Sequence, residues 1–277
     1  MEARKAQRRR LDTLLVERGL FESRSKAAAA VLAGEVQIGP GRRRADKPGT
    51  LVPEAVELEV AARQRYVSRG GIKLERALSC FAVSPRGRLC LDVGASTGGF
   101  TDCLLQGGAD RVTALDVAYG ELHWKLRQDP RVTVIERTNA RFLEPDLLPY
   151  APDLITIDVS FIGLAKVLPA AARCAAARFD LLALVKPQFE LTPDRVGKGG
   201  VVRSADDRLE ALVRAGEVAR AAGLAVRGYC ASGLPGPAGN RESFVWCVDG
   251  AQAGIDDLVA AARVAEPEAA VQMEAVT

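Results

Sequence analysis

Histidine is nearly missing from this 277-residue chain: His123, in "GELHWKLRQ", is the only one. That counts against a Ser-His-Asp hydrolase, so a general base has to be another side-chain type, and His123 reads as a surface or packing residue. The six cysteines (Cys80, Cys90, Cys103, Cys174, Cys230, Cys247) include no C-x-x-C pair and fall mostly in apolar periodic segments. Reduced core thiols are expected, with neither disulfides nor a metal. Long hydrophobic runs are absent too. "LLALV" at 181–185 and the alanine-rich 170–177, broken by Arg173, fall well short of the ~20 residues of a membrane span. The opening "MEARKAQRRR" is charged, with no apolar stretch of roughly 7–15 residues behind it. It does not read as a secretory signal, and a cytoplasmic protein is expected.

What is present is ample apolar material, 48% of the chain, enough for a large domain with a small one attached. The net charge of +3 is uneven: residues 1–50 hold twelve Lys/Arg against six Asp/Glu, which leaves the remainder mildly acidic. A basic segment on an acidic body points to a polyanion-binding module joined to something with another task.

Within that segment, Leu11, Leu14 and Leu15 form a short helical stripe ended by Gly19. A second helix is expected over 24–33, with Ser23 as its N-cap and Gly34 as its stop, followed by a short strand in "EVQI". Arg24 and Lys26 open this helix, where the macrodipole disfavours cations by about 0.3–1 kcal/mol each. A bound phosphate would repay that cost, and "GPGRRRADK" adds Arg42, Arg43, Arg44 and Lys47 on a nearby turn. The R-L-D-x-x-L and S-R-S-x-A patterns beginning at Arg10 and Ser23 resemble the alpha-L RNA-binding domain, over roughly residues 9–60. The resemblance implies structured RNA as partner.

From residue 68 onward strand-like and helix-like stretches alternate. Strands are expected at 89–93, 112–117, 132–136, 154–159, 181–185, 225–231 and 244–248, with helices notably at 163–177 and 204–222. This is the pattern of a doubly wound α/β domain, whose ligands gather at the carboxyl edge of the strands. The first such edge is "LCLDVGASTGGFTDCLL", where Gly94, Gly98 and Gly99 lie between a strand and a helix starting near Phe100. It is neither G-x-G-x-x-G nor a P-loop, and Asp92 before the glycines suits a partly cationic ligand better than a pyrophosphate. Asp116 follows Gly94 by 22 residues, near the ~20-residue offset of an acid that reaches ribose hydroxyls. Together these look like the S-adenosylmethionine site of a Rossmann-like methyltransferase, with Ala95, Ser96, Thr97 and Phe100 completing the turn and Asn139 contacting adenine or sugar.

Charged residues mark the other strand ends: Asp158 after "LITI", Lys186 after "LLALV", and Glu242 in "GNRESFVW", with Lys73 in "YVSRGGIKL" upstream. With "SRGGIKLERAL", "DVGASTGGFTD", "IDVSFI", "LVKPQFE" and "GNRESF", nearly the whole chain resembles the FtsJ-like ribose 2′-O-methyltransferases, and more closely the TlyA or hemolysin A family. The resemblance implies a catalytic tetrad of Lys73, Asp158, Lys186 and Glu242, with Lys186 as base, and ribosomal RNA as substrate with cytidine as the target. The residue types make chemical sense. A ribose hydroxyl must lose its proton as it attacks, and a lysine, at an ordinary value near ~10.4, serves only where burial or a second ammonium lowers it. Two lysines in one pocket meet that need, and two carboxylates orient them and offset their charge.

The resulting expectation is a seven-stranded, mostly parallel Rossmann-like sheet with a small α+β module: RNA binding in 1–60, a linker in 61–67, catalysis in 68–263 and a flexible tail in 264–277. Phe189 and Glu190 either contact the target base or pack the turn, and Lys198 in "DRVGKGGVV" lies on a mobile loop suited to RNA contact but equally readable as an ordinary flexible connection. The family often has Arg-x-Trp-Val in the linker; here Gln64 and Tyr66 stand at the arginine and tryptophan positions. Three rivals remain: a base methyltransferase, disfavoured because "DVSFI" replaces an N-P-P-Y-like motif; a membrane-active hemolysin; and a non-catalytic ribosome assembly factor. Oligomeric state is not legible.

Overall fold

A computed structural model describes residues 8–32, 34–41, 43–60 and 65–266. The chain separates into two compact units, 1–64 and 65–277. In the first, β1 (Arg8–Arg10) leads into α1 (Leu11–Glu17), followed by α2 (Arg24–Leu32), β2 (Val36–Ile38), β3 (Arg43–Arg44), β4 (Leu51–Pro53) and β5 (Leu58–Val60). β1 pairs antiparallel with β4, and β3-β2-β5 form a second small sheet. Leu11, Leu14 and Leu15 of α1 close on Ala27, Ala30 and Val31 of α2, whose small side chains let the two helices approach. Ser23 Oγ accepts from Lys26 N at 3.3 Å, the N-cap that its position before the alanine run implies.

The second unit contains α3 (Gly70–Cys80), β6 (Leu89–Val93), α4 (Gly99–Gln106), β7 (Arg111–Leu115), α5 (Trp124–Arg127), β8 (Val132–Ile135), β9 (Leu154–Ile157), α6 (Leu168–Arg173), β10 (Asp180–Val185), α7 (Pro187–Glu190), α8 (Ala205–Ala221), β11 (Leu224–Ala231), β12 (Ser243–Asp249) and α9 (Leu258–Ala265). Its seven-stranded sheet has the order β11-β12-β10-β9-β6-β7-β8, parallel except that β12 runs against both neighbours. The chain moves outward from β6 through β7 to β8, then returns to place β9 on the other side of β6. That reversal is a topological switch point, where the loops beyond the strand ends part and leave a crevice. Both faces of the sheet are covered: Leu181, Ala183 and Val185 join one core cluster, Leu182 and Leu184 the other. Hence β10 reads as an unbroken apolar run.

The expected helix over 163–177 is broken into a 3-10 turn at Leu164–Lys166 and α6, which has Pro169 in its first turn. A proline there lacks the donor that a longer helix would need, so the second helix begins around it. The strands β7 and β9 stop two residues sooner than their apolar patterns, at Leu115 and Ile157. Of the expected linker, Tyr66 is buried in the second unit and Val67 N donates to Asp102 Oδ2 at 2.9 Å, while 61–64 lie outside the described residues. The expected tail likewise begins inside α9: Ala265 is buried and Glu266 pairs with Arg208 at 3.0 Å. Residues 267–277 lie outside the described residues.

Candidate active site

The crevice at the switch point is a cleft of about 500 Å³, within the ordinary range for small-ligand sites. The loops after β6, β7, β8 and β9 line it, with Gly94, Ser96, Asp116, Glu121, Thr138, Asn139, Asp158 and Ser160 as polar groups, and Leu115, Val117, Val159 and Val167 among the apolar ones. Gly94 has φ 84°, and a Cβ there would stand 2.3 Å from the Asp158 carbonyl oxygen. Only glycine therefore lets the loop after β6 pass so close to the end of β9. Gly98, at φ 97°, is held by packing: a Cβ would meet Leu126 at 2.1 Å.

Asp116 receives Ser96 N at 2.7 Å on one oxygen and Ala118 N at 2.8 Å on the other. A carboxylate has about four acceptor sites, so two remain for hydroxyls in the cleft. Asn139 caps the following 3-10 turn by accepting from Arg141 N at 3.0 Å. A mainly acidic cleft with apolar walls and a carboxylate that keeps acceptor sites free for hydroxyls fits a cationic nucleoside, the chemical class of S-adenosylmethionine.

Not every residue expected at this site faces it. Asp92 is fully buried and accepts from Thr101 Oγ1 at 2.7 Å and Thr156 Oγ1 at 3.1 Å, tying α4 and β9 to β6. Burial pushes its carboxyl up to about 7, although the two threonine hydroxyls oppose the shift. It supports the loop from behind and does not line the cleft. Phe100 is likewise core, stacked on Phe244 at 5.9 Å. Ala95, Gly98 and Gly99 are buried, and Thr97 is exposed but off the cleft lining.

The four charged residues resolve into two ion pairs. Lys186 Nζ stands 2.6 Å from Asp158 Oδ1 and donates to Ser160 Oγ at 2.9 Å. Lys73 Nζ donates to Glu242 Oε2 at 2.5 Å, with the side chains only 9% and 1% exposed. Register brings them to one edge: Ala183 lies opposite Ile157, and Val185 opposite Ser243, so the residues just beyond β9 and β10 and just before β12 adjoin. Because β12 is reversed, Glu242 precedes its strand yet sits at the carboxyl end of the others. α3 supplies Lys73 from the helix layer, and Pro187, which opens α7, ends β10 at Lys186.

Sequence reasoning missed Phe161. It lines the cleft, is 92% exposed, and adopts φ 62°, a left-handed backbone that costs a residue with a Cβ about 1–3 kcal/mol. Its ring lies 5.4 Å from that of Phe189. Glu190, by contrast, packs the turn: its Oε1 accepts from Leu164 N at 2.9 Å, and burial raises its carboxyl. The Lys198 loop forms a closed turn. A bridge between Gly197 and Val201 closes it, and Asn240 Nδ2 donates to the Gly200 carbonyl at 2.7 Å.

In the first unit, Arg10, Arg24, Lys26, Arg43, Arg44 and Lys47 are all exposed, and Arg42 lies outside the described residues. The cations at the start of α2 have partners within the unit: Arg24 stands 3.2 Å from Asp12, and Lys26 pairs with Glu22. Carboxylates therefore offset the macrodipole cost, and no phosphate is required for that purpose. Asp12 also takes two hydrogen bonds from Arg10, which hold its carboxyl well below the usual range.

A model of the FtsJ-like methyltransferase family matches residues 66–248, all but the last residue of the sheet, together with its cleft. The chain belongs to the FtsJ-like methyltransferase family. The S4 domain model matches residues 9–57, so this methyltransferase carries an S4 unit at its N-terminal side. The 16S/23S rRNA (cytidine-2'-O)-methyltransferase TlyA of Mycobacterium tuberculosis is 48% identical over 243 residues, covering 87% of this chain and 90% of its own. Hemolysin A of Brachyspira hyodysenteriae is 42% identical over 195 residues, 70% of this chain and 80% of its own. A solved structure of a hemolysin-named protein from Streptococcus thermophilus is 38% identical, with a TM-score of 0.71 over 97% of this chain and 99% of that one.

Proposed function

We propose that this enzyme transfers a methyl group from S-adenosylmethionine to a ribose 2′-oxygen, on cytidine, in ribosomal RNA in the cytoplasm. The observation that carries this reading is the pair of ammonium–carboxylate couples at one sheet edge, beside an acidic cleft that suits a nucleoside. The relative from Mycobacterium tuberculosis, named for that reaction, supports the choice of nucleotide. Among the described residues no helix is long and apolar enough to cross a membrane.

Asp116 would take ribose hydroxyls of the cofactor and Asn139 its adenosine end, while Gly94 lets the backbone come near. When bound, the cofactor supplies an electrophilic methyl carbon on a sulfonium. As the substrate's 2′-oxygen attacks, its proton passes to Lys186 Nζ, and Asp158, 2.6 Å away, holds the resulting ammonium. Lys73 offers positive charge to the oxygen as it loses its proton, and Glu242 keeps that charge in place. The rest is alignment of oxygen, methyl and sulfur. Phe161 presents an open ring on which the target base can stack, a contact worth about 1–3 kcal/mol, enough to offset its backbone strain.

The S4 unit would track the RNA backbone through Arg10, Arg24, Lys26, Arg43, Arg44 and Lys47, with Arg42 in the same segment and Lys198 contributing from the catalytic unit. Residues 1–60 are assigned to RNA binding and 68–263 to catalysis. Labelled methyl transfer to separated, unmodified small and large ribosomal subunits, with mapping of alkali-resistant positions, tests the reading. Lys186→Ala should abolish transfer, a loss of at least about a hundredfold, while cofactor binding by calorimetry stays close to wild type. Retained turnover would overturn the assignment of the base.

A further inference from the structure

A buried asparagine outside the tetrad joins two segments that this reaction uses. Asn240 is 1% exposed. Its Oδ1 accepts from Val202 N at 2.9 Å, its Nδ2 donates to the Gly200 carbonyl at 2.7 Å, and its own carbonyl accepts from Gly236 N at 2.8 Å. The first two bonds grip the arm of the turn closed by Gly197 and Val201, on which Lys198 is exposed. The third folds the loop that precedes β12. Two residues on, the Glu242 carbonyl accepts from Ser232 N at 2.9 Å, and a Cβ on Gly236 would lie 2.3 Å from Glu242 Oε1. One residue therefore joins, through its side chain, the turn that presents a cation to the loop that encloses the partner of Lys73, which its backbone carbonyl helps fold.

The chemistry of the position is specific. Val202 needs an acceptor and Gly200 a donor, and in the absence of water each would be left unpaired by a smaller side chain. Aspartate would keep the acceptor but set a carboxylate against the Gly200 carbonyl. A buried amide whose oxygen and nitrogen each bond the facing turn ties the two loops so that they move together.

We propose that Asn240 is a positioning residue for the transfer, fixing the Lys198 turn to the Glu242 loop, so that a backbone phosphate of the RNA held by Lys198 sets the ribose in register with the Lys73–Glu242 pair. This rests on the methyltransferase reading above. The test compares wild type, Lys198→Ala, Asn240→Asp and the double variant. Binding to unmodified ribosomal subunits is measured across salt concentrations, with kcat, KM for RNA, and cofactor affinity by calorimetry. Lys198→Ala should weaken RNA binding about threefold to tenfold and lower the log–log salt slope by about one, as loss of one phosphate contact does. Asn240→Asp should cause the same loss of slope, together with a fall in kcat of about tenfold or more, at cofactor affinity within about twofold of wild type. The double variant should bind RNA no more weakly than Asn240→Asp alone, because the two changes remove one contact.

Multiplying effects in the double variant would overturn the proposal, as would a kcat loss that tracks cofactor affinity. An unchanged salt slope in Lys198→Ala overturns it on its own, without relying on the buried variant to fold. Binding does not require turnover, so a wild-type protein that shows this salt dependence but transfers no methyl would sink the functional reading and leave the loop coupling standing.

Discussion

The carboxylate cluster at Asp12 in the S4 unit and the buried ion pairs of the methyltransferase unit handle charge in opposite ways. In the S4 unit Asp12 is nearly buried, but the arginines that pair with it, Arg10 and Arg24, have side chains 52% and 58% exposed. In the methyltransferase unit both members of the Lys73–Glu242 pair are withdrawn from water, as are Arg208 and Glu266, each 5% exposed. An exposed arginine can exchange a carboxylate for a phosphate at small cost, because solvent screens both states. A buried ammonium has no such freedom: without its carboxylate it is left as an uncompensated charge. The first arrangement suits a reversible polyanion contact, the second a fixed electrostatic field at a reacting atom.

The largest effect that would sharpen this contrast comes from the buried pair. Lys73→Ala should cost roughly 3–5 kcal/mol in chemical denaturation by stranding Glu242, whereas Lys73→Met with Glu242→Leu should recover most of that stability and none of the activity. If the single and double variants are equally unstable, the pair is not the source of the loss. Next comes pH. The Asp92 carboxyl is raised by burial to about 7 from an ordinary 3.8, so below about pH 4 folded and unfolded chains are both protonated, and as pH climbs the unfolded chain releases its proton first. Stability should therefore fall between pH 4 and 7, by up to roughly 4 kcal/mol. Asp92→Asn should flatten that profile in thermal melts, and a variant with the wild-type slope would rule the residue out. Asp12 has the opposite sign: its lowered carboxyl contributes stability above about pH 4 that is lost in acid. Asp12→Asn should cost only about 1 kcal/mol, since both of its partners are solvated, and should leave RNA affinity unchanged or higher. A loss as large as that of Lys73→Ala would erase the distinction between the units.

The strands, and the charged residues at their ends, were legible because apolar runs such as "LLALV" end abruptly at charged residues. The break at Pro169 was not read in the expected helix over 163–177, although a proline at that position is a signal for a new helix start. Asp92 was not legible as a support. A strand covered on both faces offers no alternation by which to tell a polar side chain aimed at the cleft from one aimed into a layer. The partners of Arg24 and Lys26 differ in the same respect: Glu22 stands four residues before Lys26, whereas Asp12 meets Arg24 only through helix packing. Phe161 was read over as one more apolar residue of "IDVSFI", since its exposure and left-handed backbone belong to the tertiary turn and leave no mark in the residue type. Asn240 was hidden likewise, for its two side-chain bonds reach a segment 38 to 40 residues away.

The reversal of β12 has a consequence for how the enzyme comes into being. Lys73 and Glu242 are separated by 169 residues, and the strand that Glu242 precedes inserts between β10 and β11 near the end of the chain. During synthesis the cofactor loops after β6 through β9 can all have emerged while Lys73 still lacks its counter-charge. Contacts so distant in sequence form late, because a large loop must close before they are gained. A nascent or truncated chain can therefore build the cleft before the Lys73–Glu242 pair exists, and that pair closes only when the last strand of the sheet docks.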